Sequence, residues 1–430
     1  MNIEIQEYLN QGIAYMSAEN YPYAIDAFNK AIGLDPSNVD ALSHLGNAYA
    51  CVEEYDKALA SFKTALMYQE EDGKLLYSIG GIYLLKNDFA SAVRYYNRAE
   101  KAGYVSLEMY LILAGMFAET GDYYQAIRAI SNAIQIKPLR ADLYVRKATL
   151  QFQHDMTEEA IETLDELNEI VPDAFESYEL RARIYCSQRN FDEAKSVVDD
   201  AVHRFPNDPV VQLLKLQVLV EAGNNNEAVE CAQSLLTKEL DDSILQKVIL
   251  YKATAEAKLE KPKDVIETLE AYTKDHDDVE TLYLLMNMYM ATRMHDNVIK
   301  TADRLDRLDA SAQIKASVLF YRANSMFAIH GNEQIYHDIL PSLRHLSIEA
   351  PQSYEIYIYR LISHTRIREF DKALSLADYL QNAYPENPDG HLYKYYIYSS
   401  MGEKDKAEEE KRLLSEIAPD LRIDENGLVR

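Results

Sequence analysis

The chain has 430 residues, with 44 Lys and Arg against 70 Asp and Glu. Its formal charge of −26 opposes binding to phosphate backbones and anionic lipid surfaces, and no run of Lys and Arg is dense enough to offset it locally. With 48% apolar and 27% charged residues it is no disordered chain, and its 14 Gly and 12 Pro, about 3% each against a usual ~7% and ~5%, disfavour sandwiches and barrels and favour long helices with short connections.

From the N-terminus, Met1-Asn2-Ile3-Glu4-Ile5 has no basic segment ahead of an apolar core, so no signal peptide is expected. A 34-residue period begins at once. Small residues recur at Gly12, Gly46, Gly80, Ala114, Ala148 and Ala182. Alanine follows twelve positions after each, at Ala24, Ala58, Ala92, Ala126, Ala160 and Ala194, and again at Ala228. A third series runs Ala31, Ala65, Ala99, Ala133, Leu167, Ala201. Aromatics keep the same beat at Tyr15, Tyr49, Tyr83, Phe117 and Tyr185, and at Tyr21, Tyr55, Phe89, Tyr123 and Phe191. Proline closes the unit at Pro36, Pro138, Pro172 and Pro206.

Within each unit, two blocks of apolar residues at three- and four-residue spacing flank a short polar break such as Glu19-Asn20 or Glu53-Glu54. This pattern predicts a helix, a tight turn and a second helix. Small residues let the two axes approach, and aromatics fill the space beside them. Proline stops the second helix, and Ser37-Asn38 supply caps for the next. One such pair cannot bury its apolar faces alone, so neighbours must stack.

These residues closely resemble the tetratricopeptide repeat family, whose pattern wants an aromatic, Leu-Gly/Ala, Tyr, Ala, Phe, Ala and Pro at these offsets. Tyr8, Gly12, Tyr15, Ala24, Phe28, Ala31 and Pro36 match it almost throughout. The usual tryptophan is absent; Tyr8, Tyr144, Tyr178 and Tyr357 stand in its place. The resemblance implies an all-α fold, a right-handed α-α superhelical solenoid of about twelve helix pairs.

Unit starts fall at 5, 39, 73, 107, 141, 175 and 209, then at 246, 279, 316, 354 and 388. The chain thus divides into a regular array (5–240), irregular units with longer loops (241–353), two further units with a solvating last helix (354–419) and a tail (420–430). A longer loop is expected at 237–243, and Pro341 is expected to interrupt the helix in the stretch 330–353. The first unit has no cap, which suggests either tolerated exposure or self-association. No separate catalytic or DNA-reading domain is expected.

The chemistry-bearing residues point away from catalysis, cofactors and metals. His330, His337 and His345 cluster near Glu333 and Asp338, but Gly331 and Pro341 separate them, so a metal site is not expected. Gly80-Gly81 lies at a helix-pairing position without a phosphate-loop motif around it. Glu158-Glu159 and Glu408-Glu409-Glu410 fall where the repeat puts solvated faces. Cys51, Cys186 and Cys231 are isolated, as free cysteines in a reducing compartment would be. No apolar run reaches membrane-spanning length, so a cytoplasmic location is expected.

The resemblance implies a concave groove lined by the first helix of each pair, at positions two, five, nine and twelve of the unit. Those positions include Ser43, Asn47, Lys74, Tyr77, Glu179, Arg183, Tyr283, Asn287, Phe320 and Asn324, and the tyrosine cluster near Tyr396 should add at least one more. Some family members clamp chaperone C-terminal carboxylates; here Leu9, Ile13 and Gly81 stand where that clamp wants polar groups, leaving only the Asn47 amide. With Leu9, Ile13, Leu111, Val145 and Phe152 the groove is rather apolar, which suits a helix or hydrophobic peptide as guest. The expected function is a non-enzymatic scaffold or adaptor for a protein or peptide ligand. The alternative is a peptide-sensing regulatory switch, resembling repeat-containing bacterial pheromone receptors, hinged at 237–245 and 330–353. RNA binding, as in the related family with 35-residue units, is disfavoured by the charge and the step of 34.

Overall fold

The computed structural model describes residues 3–419 and Leu421; the expected tail, 420–430, otherwise lies outside them. Among the described residues every regular element is an α-helix, 24 in all, and successive helices pack as twelve pairs. The chain forms two compact units, Met1–Arg204 and Phe205–Arg430.

In the first unit, α1 (Ile3–Ser17) pairs with α2 (Tyr21–Leu34), α3 (Val39–Cys51) with α4 (Tyr55–Tyr68), and α5 (Gly73–Leu85) with α6 (Phe89–Lys101). Then come α7 (Leu107–Glu119) with α8 (Tyr123–Ile136), α9 (Ala141–Gln153) with α10 (Thr157–Ile170), and α11 (Phe175–Ser187) with α12 (Phe191–Arg204). The second unit holds α13 (Pro209–Glu221) with α14 (Asn225–Leu235), α15 (Asp242–Lys258) with α16 (Pro262–Thr273), and α17 (Val279–Ala291) with α18 (His295–Leu305). It ends with α19 (Ala312–His330) and α20 (Gln334–Glu349), α21 (Tyr354–Arg366) and α22 (Phe370–Ala383), and α23 (Asp389–Met401) and α24 (Lys404–Ile417).

Local chemistry explains the boundaries. The Asn38 side chain accepts the Ala41 N–H at 2.9 Å, Asp72 that of Leu75 at 2.8 Å, and Ser106 that of Met109 at 3.1 Å, each satisfying an amide that a helix start leaves free. Every turn inside a pair carries one residue in the left-handed region. Glycine fills it at Gly121, Gly223, Gly331 and Gly402, whereas Glu19, Glu53, Asn87, Asp155, Arg189, Glu260, Arg293 and Arg368 hold the same conformation with a side chain.

The repeat's small residues are packing residues. The alanines from Ala24 to Ala228 are all fully buried, as is the series from Ala31 to Ala201. A Cβ on Gly12 would lie 2.3 Å from Phe28, one on Gly46 2.7 Å from Phe62, and one on Gly80 2.8 Å from Tyr96. In the next three pairs the small residue is Ala114, Ala148 or Ala182, and the position facing it is Ile130, Leu164 or Val198. Glycine goes with a ring and alanine with an aliphatic chain, so each crossing keeps a similar total volume.

The less regular stretch is also made of helix pairs. α15 starts at Asp242 instead of 246 and α19 at Ala312 instead of 316, one helical turn earlier than the sequence pattern suggested. The added turns contribute Ile244, Leu245 and Ile314 to the apolar clusters. The loop expected at 237–243 therefore spans 236–241. Gly331 ends α19 in the left-handed conformation, but α20 runs through Pro341 without a break. Pro341 is exposed, where a helix can lose one amide bond most cheaply. His337 and His345 consequently share α20, and each lies by a carboxylate of its own helix, Asp338 at 3.8 Å and Glu349 at 3.1 Å.

The last helix is less solvated than its charge implies. Glu410 turns towards α23, where its carboxylate sits 2.6 Å from His391 Nδ1 and 3.9 Å from Lys394 Nζ. No helix among the described residues is long and apolar enough to cross a membrane.

Candidate interaction face of the first helices

Within each unit, first helices of neighbouring pairs touch one another: α1 meets α3 and α9 meets α11 in the first, α13 meets α15 and α19 meets α21 in the second. The expected groove residues lie on these helices, and the two units use them differently.

In the first unit Asn47 and Lys74 are exposed and Ser43 is half-buried. The Lys74 ammonium lies near enough to His44 to help hold that imidazole below its usual pKa, a shift due mainly to burial. Tyr77 is half-buried, its ring 5.5 Å from Tyr96 and 4.9 Å from Tyr104; burial raises its pKa above the ordinary phenol value. Arg183 is engaged with Glu179 one turn earlier, at 3.2 Å.

The other expected positions on α5, α7 and α9 are largely apolar. Leu84, Leu111, Ala118, Val145 and Phe152 are half-buried. Ile13 is 41% exposed, while Leu9, also expected on the face, is only 5% exposed and packs in the core. Sequence reasoning did not separate two glycines here from the packing ones. A Cβ on Gly81 would meet nothing closer than the Tyr96 hydroxyl at 3.7 Å, and one on Gly115 nothing within 4 Å. Gly80 is thus a packing glycine, and its neighbour Gly81 is not. The signal was present as a second glycine series, Gly81 and Gly115 one period apart, displaced by one residue from Gly12, Gly46 and Gly80.

The second unit closes its face with its own side chains. The Tyr283 hydroxyl bonds to Ser317 Oγ at 3.1 Å, and Ser317 Oγ lies 3.2 Å from the Tyr359 hydroxyl. The chain of bonds therefore links α17, α19 and α21. Phe320, expected on the groove, is instead 5% exposed and stacked on Tyr359 with ring centres 4.4 Å apart. The repeat offset puts Phe320 on the face, but its ring packs against Tyr359 in the core cluster. Asn324 accepts a 2.6 Å hydrogen bond from the Tyr336 hydroxyl, so its carbonyl oxygen is occupied. Asn287 is half-buried. Tyr396 is half-buried with its ring 5.6 Å from Tyr395 and 6.1 Å from Tyr393, whose own burial pushes its pKa up to about 12. Among the described residues no group of three or more His, Cys, Asp or Glu gathers as a metal site.

Tetratricopeptide-repeat models match residues 12–50, 52–104, 86–141 and 117–184. A search of curated proteins finds no match. Among solved structures, Naa15/Naa10 bound to HypK-THB is similar over 97% of this chain, at 15% identity and a TM-score of 0.53; the chain spans 64% of that chain's length. MamA protein aligns with 39% of this chain and 92% of its own, at 22% identity and a TM-score of 0.35. YrrB, described as a TPR protein with an unusual peptide-binding site, aligns with 44% of this chain and 96% of its own, at 19% identity and a TM-score of 0.34. At these identities the likeness is one of fold. The repeat models, the 34-residue register and the twelve helix pairs agree in supporting a tetratricopeptide repeat protein.

Proposed function

We propose that this protein is a non-enzymatic interaction scaffold whose first unit holds an apolar segment of a protein or peptide against α5, α7 and α9. The observation that carries this reading is the pair Gly81 and Gly115. Glycine inside a helix costs about 0.5–1 kcal/mol relative to alanine, and neither position has a packing neighbour that would exclude a methyl group. Glycines kept there leave bare backbone for a guest to approach. Leu84, Leu111, Val145 and Phe152 surround them with half-buried apolar surface, and Asn47, Lys74 and Arg183 supply polar groups at the two ends. The second unit fits this role less well, because Tyr283, Ser317 and Tyr359 satisfy one another across its face.

Two titratable groups held away from solvent bridge helices: Glu256 contacts Thr268 of α16, and Glu410 contacts His391 of α23. Such placement serves packing and supports a scaffold over an enzyme.

Stability and binding should respond to Gly115 with opposite signs. Gly115→Ala should raise stability by about 0.4–1 kcal/mol, read as the unfolding midpoint in urea. Gly115→Leu should leave the helical circular dichroism unchanged yet fill the face. Peptides selected from a random library on the wild-type protein should then bind Gly115→Leu at least about tenfold more weakly by fluorescence anisotropy. Equal affinity for both proteins, or selection of no peptide, would remove the guest from this face.

A further inference from the structure

In the second unit, α20, α21 and α22 enclose an open cleft of about 650 Å³. Arg344 and His337 border it from α20, Arg360 and His364 from α21, and Lys372 from α22, with Glu369 just ahead of that helix. A basic cleft is unexpected in a chain with so large an acidic surplus.

Its charges do not cancel. Glu369 is committed: its carboxylate lies 2.7 Å from His364 Nδ1 and 2.9 Å from Lys372 Nζ. Asp338 lies beside His337. Neither arginine has a carboxylate within ion-pair distance among the described residues, whereas Arg98, Arg204, Arg304 and Arg322 each meet one. Arg360 is half-buried and donates one Nη1–H to Ser347 Oγ at 3.0 Å, with its guanidinium 5.7 Å from the Tyr357 ring centre. Its Nε–H is buried without an acceptor. Burial holds its pKa below the ordinary arginine value, partly offset by Tyr357, and Arg344 adds to the lowering. Ser347 and Tyr357 account for a structural role of Arg360, but they leave Arg344, exposed at the edge of the same cleft, unexplained.

An anion would relieve both arginines at once. A guanidinium offers five N–H donors in a fixed fork suited to oxyanions. Two such forks, neither of them ion-paired, exceed what one carboxylate neutralises and match a phosphate monoester, with nearly two charges and three acceptor oxygens. The volume is that of a small-ligand pocket, larger than a bare phosphate needs. Leu340, Pro341 and Leu376 provide apolar wall for an organic remainder. The long-range repulsion from the rest of the chain is screened within about 8 Å at physiological salt.

We propose that this cleft is a phosphate-monoester site in which Arg344 and Arg360 grip the phosphoryl oxygens. The ligand is a small organic phosphate or a phosphorylated side chain presented by a peptide, which share this chemistry. The site is separate from the first-helix face of the other unit and stands whether or not that face holds a guest.

Isothermal titration calorimetry on the full chain tests it with O-phospho-L-serine, a short phosphoserine peptide and their unphosphorylated forms. Saturable binding of at least one phosphorylated probe is expected, with none for the unphosphorylated forms. Arg344→Gln and Arg360→Gln should each weaken it about tenfold or more. Arg344 is exposed, so its variant reports on the site even if Arg360→Gln disturbs the fold. Tighter binding of the peptide assigns a modified protein as the source, and tighter binding of the free amino acid assigns a small metabolite. No saturable binding at millimolar concentration, or binding that survives Arg344→Gln, overturns the proposal.

Discussion

Replacing Lys252 with methionine is expected to destabilise the second unit by about 3–5 kcal/mol, the cost of leaving a buried charge without its partner. Lys252 Nζ lies 2.9 Å from Glu256 Oε1 one turn along α15, with the two side chains only 13% and 5% exposed. Thr268 of α16 completes the ring, donating to Glu256 Oε2 at 2.9 Å and accepting from Lys252 at 2.5 Å. Methionine preserves the aliphatic stem and removes the ammonium, so the loss is electrostatic and not one of volume. The double variant Lys252→Met, Glu256→Leu should recover most of the loss, because apolar replacements of both partners are commonly neutral. Urea unfolding followed by circular dichroism measures both. A single-variant loss under about 1 kcal/mol would place the pair in the class of solvated surface pairs.

Gly46→Ala should also destabilise, by about 1–3 kcal/mol, against the usual gain when alanine replaces a helical glycine. Its new methyl would lie 2.7 Å from the ring of Phe62, which is fully buried between α3 and α4. The chain suggests the remedy, since the fourth to sixth pairs combine alanine with Ile130, Leu164 or Val198. Phe62→Leu alone should leave a void, yet in the Gly46→Ala background it should restore stability. The cycle should therefore show a favourable coupling of about 0.5–3 kcal/mol. Strict additivity in thermal melts would mean that the ring moves aside freely. The contrast with Gly115→Ala, expected to stabilise, separates the two kinds of glycine by sign alone.

Much of this fold is legible in the sequence because packing constraints repeat. A small residue that must sit under a large side chain in one pair must do so 34 residues later, and the starts at 39, 73, 107, 141, 175, 209, 279 and 354 coincide with helix starts. The reading slipped where that constraint relaxes. At the eighth and tenth pairs an extra helical turn precedes the expected start. Phe320 lies inward because its ring stacks on Tyr359, a contact between pairs that the offsets do not encode. Glu410 misled for another reason: its run of three glutamates looks solvated, and only the packing of α24 on α23 brings the third beside His391 and Lys394. Periodicity also says which face a residue occupies but not how much space lies above it, so Gly81 and Gly80 looked alike. The cleft around Arg360 draws on three helices and leaves no local pattern.

The turn inside each pair has a further consequence. Seven of these twelve joints hold a left-handed backbone on a residue other than glycine or asparagine, a conformation disfavoured by about 1–2 kcal/mol for an L-residue. Exchange of these residues for glycine or asparagine can adjust heat tolerance joint by joint, outside the surfaces where a guest or an anion would rest. Adaptation to temperature and adaptation to a ligand can therefore proceed on separate residues of the same chain.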